Sequence, residues 1–403
     1  MNTTSKYMEQ TQAGLLHTYN QFPIVLERGE GAYLYDTDGK KYLDFVAGYA
    51  VCTLGYGNVG LNKEFNDALH SQIDKIIQTS NLYYNTACGE AAEALKKASG
   101  MDRIFFANSG GEANEGALKA ARKYAHTKGS GRYEFIAMKE SFHGRSFGAV
   151  SVTGHDAYRE PFEPLLEGVK FAEFNNLDDV KSKVTDKTCA IIFEVLQGEG
   201  GINLATEEFV KGIRQLCDDE GILMICDEVQ CGMGRSGSYF AFQQYGVKPD
   251  IVTMAKGIGN GIAVGAFGMT EEIAEFSLKP GDHGTTFGGN PLACTAVSKV
   301  VEIMDREKLV DHAASVGAYL AGKLDALVDN YSNVIGRRGT GLMQGLVLEV
   351  EAPYKSVSDI VNSALDKGLL LISAGPSVVR FVPPLTITEE QIDQMIEILE
   401  ECL

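Results

Sequence analysis

The stretch DIVTMAKGIGNG, residues 250–261, decides the reading of this chain. Its first half is a short apolar run ending at Met254, and Lys256 follows at once, with glycines at 257, 259 and 261. A continuous apolar run of this length suits a strand buried on both faces, as in a parallel sheet. Lys256 is then carried off the end of that strand into a loop crowded by something large. Burying an ammonium is costly, and chains retain such lysines mainly where the amine has a depressed pKa and acts as a nucleophile. An ordinary exposed lysine at a strand end fits the same string, so the neighbouring runs must decide.

Those runs repeat the theme. RIFFANSG (103–110), EFIAMKESFHG (134–144), CAIIFEVLQGEGG (189–201) and GILMICDEV (221–229) are apolar segments followed by small or polar residues. Amphipathic helices fill the gaps, among them GEANEGALKAARKYA (111–125) and TEEFVKGIRQLCDDEG (206–221). The pattern predicts an α/β architecture with a mostly parallel sheet and function at the carboxyl ends of its strands. GAYLYDTDGKKYLDF (31–45) predicts a hairpin turning at Asp38–Gly39. The last ~110 residues alternate long helices with a few strands and read as a smaller α+β domain. The expected division is 1–55 as an N-terminal segment contributing to the small domain, 56–292 as the large domain, and 293–403 as the C-terminal small domain.

The 403 residues are 44% hydrophobic and 22% charged, an ordinary globular composition. Lys and Arg number 36 against 54 Asp and Glu, for a net charge of −18, and no basic stretch occurs. That argues against nucleic acid and anionic membrane surfaces as partners. No run approaches the length of a membrane span, and the polar start MNTTSKYMEQTQ does not read as a signal peptide. The eight cysteines form no Cys-x-x-Cys pair, which suits free thiols in a reducing cytoplasm. No HExxH string occurs, and no catalytic metal is expected.

Several strings could carry chemistry. Ser109, Gly110 and Gly111 lie between a strand and a helix, where free N–H groups and the helix dipole favour an anion such as phosphate. A plain strand-to-helix turn would read the same way. Asp227 ends the run GILMIC and must be paired if buried; it suits a helix cap, an ion pair or a protonated cofactor ring. SFHGRS (141–146) offers Phe142 to cover an aromatic ring and Arg145 to grip a carboxylate. HGTTFGGNPLAC (283–294) brings two hydroxyls beside glycines, and LQGEGG (196–201) contributes Glu199, considered together with Arg380 of VVRFVPP. GIGNG superficially matches a dinucleotide fingerprint, but that motif needs a helix after its glycines, and IAVGAFGMT reads as a strand.

Taken together, in this order, the strings resemble the class III, fold-type I aminotransferases that use pyridoxal 5′-phosphate. TSNLYYN (79–85), SFHGRS, DEVQCGMGRSG (227–237) and HGTTFGGNPLAC are most similar to the acetylornithine-type branch. The resemblance implies covalent attachment of the cofactor to Lys256 and pairing of Asp227 with the ring nitrogen. It further implies Val229 and Phe142 against the two faces of the ring, Gln230 at the ring hydroxyl, and Glu228 beside them. Ser109, Gly110 and Gly111 would hold the phosphate, completed by Thr286 from a partner subunit of a homodimer. Thr285, Arg145 and Tyr49 would address the substrate, and Glu199 and Arg380 would form a switchable pair. The implied reaction moves the δ-amino group of N-acetylornithine to 2-oxoglutarate, giving N-acetylglutamate 5-semialdehyde and glutamate. Tyr49 stands where the acetylornithine branch usually has an aliphatic residue, which leaves ornithine, succinylornithine or another ω-amine open as donor. An aminomutase, in which the amine never leaves, is the competing chemistry.

Overall fold

The computed structural model describes residues 3–351 and 353–403; Met1, Asn2 and Ala352 lie outside the described residues. Its centre is a seven-stranded sheet in the order Arg103–Ala107, Gly265–Met269, Ile251–Met254, Leu223–Asp227, Thr188–Phe193, Glu134–Met138, Val169–Ala172. The five strands from Ile251–Met254 to Val169–Ala172 pair in parallel, while Gly265–Met269 runs antiparallel to both its neighbours. The sheet is therefore mostly parallel, as the continuous apolar runs predict.

Alternation along each strand splits the core in two. Ile191, Phe193, Met224, Cys226, Val252 and Met254 pack into one cluster, while Ala190, Ile192, Leu223, Ile225 and Ile251 pack into the other. Both faces are dry, so a truncation such as Phe193→Ala would cost about 3–5 kcal/mol. Helix Gly110–Thr127 covers one face, and Ser109 caps it by accepting a hydrogen bond from the Glu112 N–H at 3.2 Å. The helix lies unusually close to the sheet at Gly116, where a Cβ would stand 2.2 Å from the Phe267 ring.

The ends of the chain meet away from this sheet. Leu26–Glu30, Tyr33–Asp36 and Lys41–Asp44 form an antiparallel meander, and Lys41–Asp44 also pairs in parallel with Leu369–Leu370. A second small sheet has the order Val334–Thr340, Met343–Leu348, Val378–Phe381, Ile372–Ser373. Long helices Pro291–Arg306 and Leu309–Asn330 connect the central sheet to this region. The fully buried Arg235 ties the two together by donating to the carbonyls of Leu342 and Pro383. Among the described residues no helix is long and apolar enough to cross a membrane.

Candidate active site

The carboxyl ends of the central strands open on a cavity of about 900 Å³. Strand Ile251–Met254 delivers Lys256 to its wall through a short 3₁₀ turn, Lys256–Ile258. Lys256 has φ +48°, a left-handed conformation that costs a non-glycine residue energy and is held only by its surroundings. Desolvation pushes its amine down to about 8, assisted by the Arg380 charge and opposed by Glu199, Asp227 and Glu194.

The next strand brings Asp227 to the same cavity. Asp227 is 2% exposed, and its carboxylate accepts three hydrogen bonds from the protein. Oδ2 accepts from Asn114 Nδ2 at 2.8 Å and from His143 Nδ1 at 2.7 Å, and Oδ1 accepts from the Val229 N–H at 3.0 Å. Burial works against charge on His143, but the hydrogen bond to Asp227 and its negative charge win and raise the imidazole above its ordinary value. Asp227 is thus a carboxylate held in one orientation at the cavity wall. Neither His143 nor Asn114 stood out in the sequence as its partner. Asn114 did carry a signal, since it is a polar residue in the buried stripe of a helix between Ala113 and Ala117.

Ser109, Gly110, Gly111, Phe142, Arg145, Val229, Gln230, Glu199 and Tyr49 also line this cavity. Gly110 and Gly111 begin an 18-residue helix, where the first N–H groups have no intrahelical acceptor. A Cβ on Gly110 would lie 2.7 Å from the Val229 side chain, so only glycine lets this helix start sit against the valine. Arg145 is exposed, with its guanidinium 3.8 Å from the Tyr158 ring centre and 5.4 Å from that of Phe142. Arg380, 1% exposed, donates to Glu199 Oε2 at 2.8 Å and to Gln230 Oε1 at 3.4 Å, and lies 5.2 Å from the Tyr49 ring centre. Arg380 lines a second cavity of about 740 Å³, which shares Tyr49 and Glu199 with the first.

Three expected residues stand elsewhere. Glu228 turns away from the cavity, because its carboxylate accepts from the N–H groups of Ala241 and Phe242 at 2.9 and 3.0 Å and burial raises it to about 7. Thr285 sits in a neighbouring pocket, where its hydroxyl accepts from Asn108 Nδ2 at 2.9 Å. Thr286 is exposed on the surface, its carbonyl accepting from Gln78 Nε2. Glu194 is a further cavity residue not read from sequence. Its carboxylate accepts from the Phe142 N–H at 3.0 Å, and burial lifts it to about 7.

These donors fit pyridoxal 5′-phosphate. An amine with a depressed pKa, an oriented carboxylate and a glycine-bearing helix start share one cavity, and the buried atoms Asn114 Oδ1 and His143 Nε2 find no protein partner among the described residues.

A mostly parallel sheet with a buried amine, a carboxylate and a glycine-bearing helix start at its carboxyl edge fits a group-transfer enzyme. The chain belongs to the class III aminotransferases, whose family model, "Aminotransferase class-III", matches residues 16–403. It is 46% identical over 390 residues to the acetylornithine aminotransferase of Caldanaerobacter subterraneus subsp. tengcongensis, covering 96% of this chain and 97% of the relative. It is 44% identical over 393 residues to that of Archaeoglobus fulgidus, covering 98% and 99%. Among solved structures, the ornithine aminotransferase of Toxoplasma gondii ME49 superposes with a TM-score of 0.94 at 28% identity, covering 100% of this chain and 95% of that one. The acetylornithine aminotransferase of Elizabethkingia anophelis gives 0.87 at 28% identity, covering 100% and 99%.

Proposed function

We propose that this aminotransferase moves the δ-amino group of N-acetylornithine to 2-oxoglutarate with pyridoxal 5′-phosphate as cofactor. The single observation that carries the reading is that Lys256 and the triply hydrogen-bonded Asp227 line one cavity at the ends of adjacent strands. When bound, the cofactor supplies an aldehyde for the amine and an electron-withdrawing ring that stabilises negative charge at the reacting carbon. Lys256 Nζ would hold the cofactor covalently through its aldehyde and, as a free amine, would carry a proton to and from the substrate. Its lowered pKa supports this role, because about a tenth of the amine is neutral at pH 7, far more than for an ordinary lysine.

Asp227 would keep a proton on the ring nitrogen, and His143 and Asn114 hold its carboxylate in place for that task. Gly110 and Gly111 would take the phosphate at the helix start, with the Ser109 hydroxyl beside them. Phe142 and Val229 would pack against the cofactor ring and Gln230 would hydrogen-bond to it, all three lining the same cavity. Arg145 binds the donor's α-carboxylate. Glu199 neutralises Arg380 while the monocarboxylate donor is bound, and releases it for the second carboxylate of 2-oxoglutarate.

A homodimer completes the site. The exposed Thr286, beside Phe287 at 62% exposure, supports a role in the partner's phosphate site. The pairing of Lys41–Asp44 with Leu369–Leu370 supports treating 1–55 and 293–403 as one smaller unit beside 56–292. Tyr49 supports a second reading, in which ornithine itself is the donor, because its ring faces the substrate space beside Arg380. Rates with acetylornithine, ornithine, succinylornithine and 4-aminobutyrate, each with 2-oxoglutarate, decide between them. Acetylornithine gives the highest kcat/KM on this account, and a higher value for ornithine transfers the assignment to the second reading.

A further inference from the structure

The chain winds left-handed where it presents Tyr49. Ala47, Gly48, Tyr49 and Ala50 have φ of +46°, +62°, +65° and +66°. Gly48 takes such a value freely, but in the other three the Cβ crowds a backbone oxygen. Such a run persists only where the surroundings impose it. Ala47 and Ala50 are buried while Tyr49 between them is 49% exposed, so the turn holds the tyrosine outward. Tyr49 lines both cavities, and the Arg380 guanidinium lies 5.2 Å from its ring centre.

Asp44, 1% exposed at the end of strand Lys41–Asp44, fastens the entrance to this turn. Its Oδ1 accepts from the Val46 N–H at 2.8 Å, and its Oδ2 accepts from the Ala47 N–H at 3.1 Å and from the Tyr56 hydroxyl at 2.6 Å. The Phe45 carbonyl between them accepts from the Val382 N–H at 2.9 Å, two residues beyond Arg380. At the exit, Thr53 Oγ1 donates to the Gly257 carbonyl at 3.1 Å and the Leu54 N–H donates to Asn260 Oδ1 at 2.8 Å. The turn is therefore stretched between the strand of Arg380 and the loop of Lys256, and Asp44 is its one buried carboxylate anchor. The mechanism above uses neither Asp44 nor Tyr56.

We propose that Asp44 is a positioning residue for substrate choice: it holds residues 47–50 left-handed and so keeps the Tyr49 ring beside Arg380. The carboxylate is suited to this because its two oxygens receive two successive backbone N–H groups, which fixes the direction in which the chain enters the turn. The inference rests on the placement of Tyr49 in the substrate space, and not on which amine is the best donor. A best donor other than acetylornithine changes the proposed function and leaves the inference standing.

The test is a double-mutant cycle on the cofactor-loaded enzyme, with the four donors named above. Asp44→Asn leaves a single oxygen for the two N–H groups. It should change the relative kcat/KM of the donors about threefold, in the same direction as Tyr49→Ile. Adding Tyr49→Ile to Asp44→Asn should change the ranking by less than about twofold more, because both act through one ring. The absorbance of bound cofactor and kcat with the best donor should stay within about twofold of wild type. Amide exchange should quicken at Val51 and Cys52, whose N–H groups donate to the Ala47 carbonyl at 2.7 and 2.9 Å. If Asp44→Asn does not fold, Tyr56→Phe decides, with a smaller shift of the ranking in the same direction. A wild-type ranking in the folded variant, a wild-type ranking in Tyr49→Ile, effects that multiply in the double variant, or an equal loss for all donors with weakened cofactor binding overturns the proposal.

Discussion

The two walls of the cavity are built differently. On one side, Lys256, Asp227 and Gly110 sit at the ends or starts of central elements, and Asp227 is locked by two buried side chains. On the other, Arg145 is exposed, Tyr49 is 49% exposed, and Glu199 holds Arg380 by one hydrogen bond from a loop. The first wall has a single arrangement fixed by the core. The second has side chains that can change partners without unfolding anything. On the proposed function, bond chemistry belongs to the rigid wall and choice of substrate to the adaptable one, so damage to each should read out differently.

The largest effect is expected at the rigid wall. Lys256→Ala should cut transamination by more than ~10³-fold, because both the covalent attachment and the proton carrier go. Full loss of rate with retained visible absorbance of bound cofactor would move the attachment elsewhere. Asp227→Ala should lower kcat by about 10²–10³-fold and also leave the buried His143 and Asn114 side chains without their shared acceptor, which stopped-flow rates and thermal melts measure together. Reconstitution of cofactor-free protein should speed up with rising pH through about 8 and level above it, since the neutral amine is the reacting form and its folded pKa is lowered. A rate still climbing beyond pH 10 would mean Lys256 is not desolvated.

Effects on the adaptable wall should be smaller and selective. Glu199→Ala leaves Arg380 uncompensated, so the ratio of rates for a monocarboxylate donor against a dicarboxylate donor should fall about tenfold. An unchanged ratio would make the pair a fixed structural bridge. Tyr49→Ile should shift kcat/KM between acetylornithine and ornithine by only a few-fold in favour of acetylornithine, and an equal loss for both would mean that the ring only fills space.

The same division explains what the sequence discloses. Thr188–Phe193 and Leu223–Asp227 are buried throughout, and such strands must be written as unbroken apolar runs. Val169–Ala172 is an edge strand, only partly buried over three of its four residues, and VKFA carries no run to read. The pairing of Lys41–Asp44 with Leu369–Leu370 joins segments more than three hundred residues apart, and no local pattern encodes it. At the site, Lys256 and Asp227 are legible because a charge ending an apolar run is costly unless it is used. His143 and Asn114 are not, because their role is a contact across the sheet edge. Glu228 shares the strand end with Asp227 but alternation sends it to the opposite side, where the Ala241 and Phe242 N–H groups receive it.

The account rests on Lys256 as the point of attachment. Borohydride reduction of the protein incubated with pyridoxal 5′-phosphate, followed by peptide mapping, tests it most directly. A stoichiometric phosphopyridoxyl group on the peptide containing Lys256 is the expected result. Its appearance on another lysine, or the absence of any stoichiometric adduct, would contradict the account.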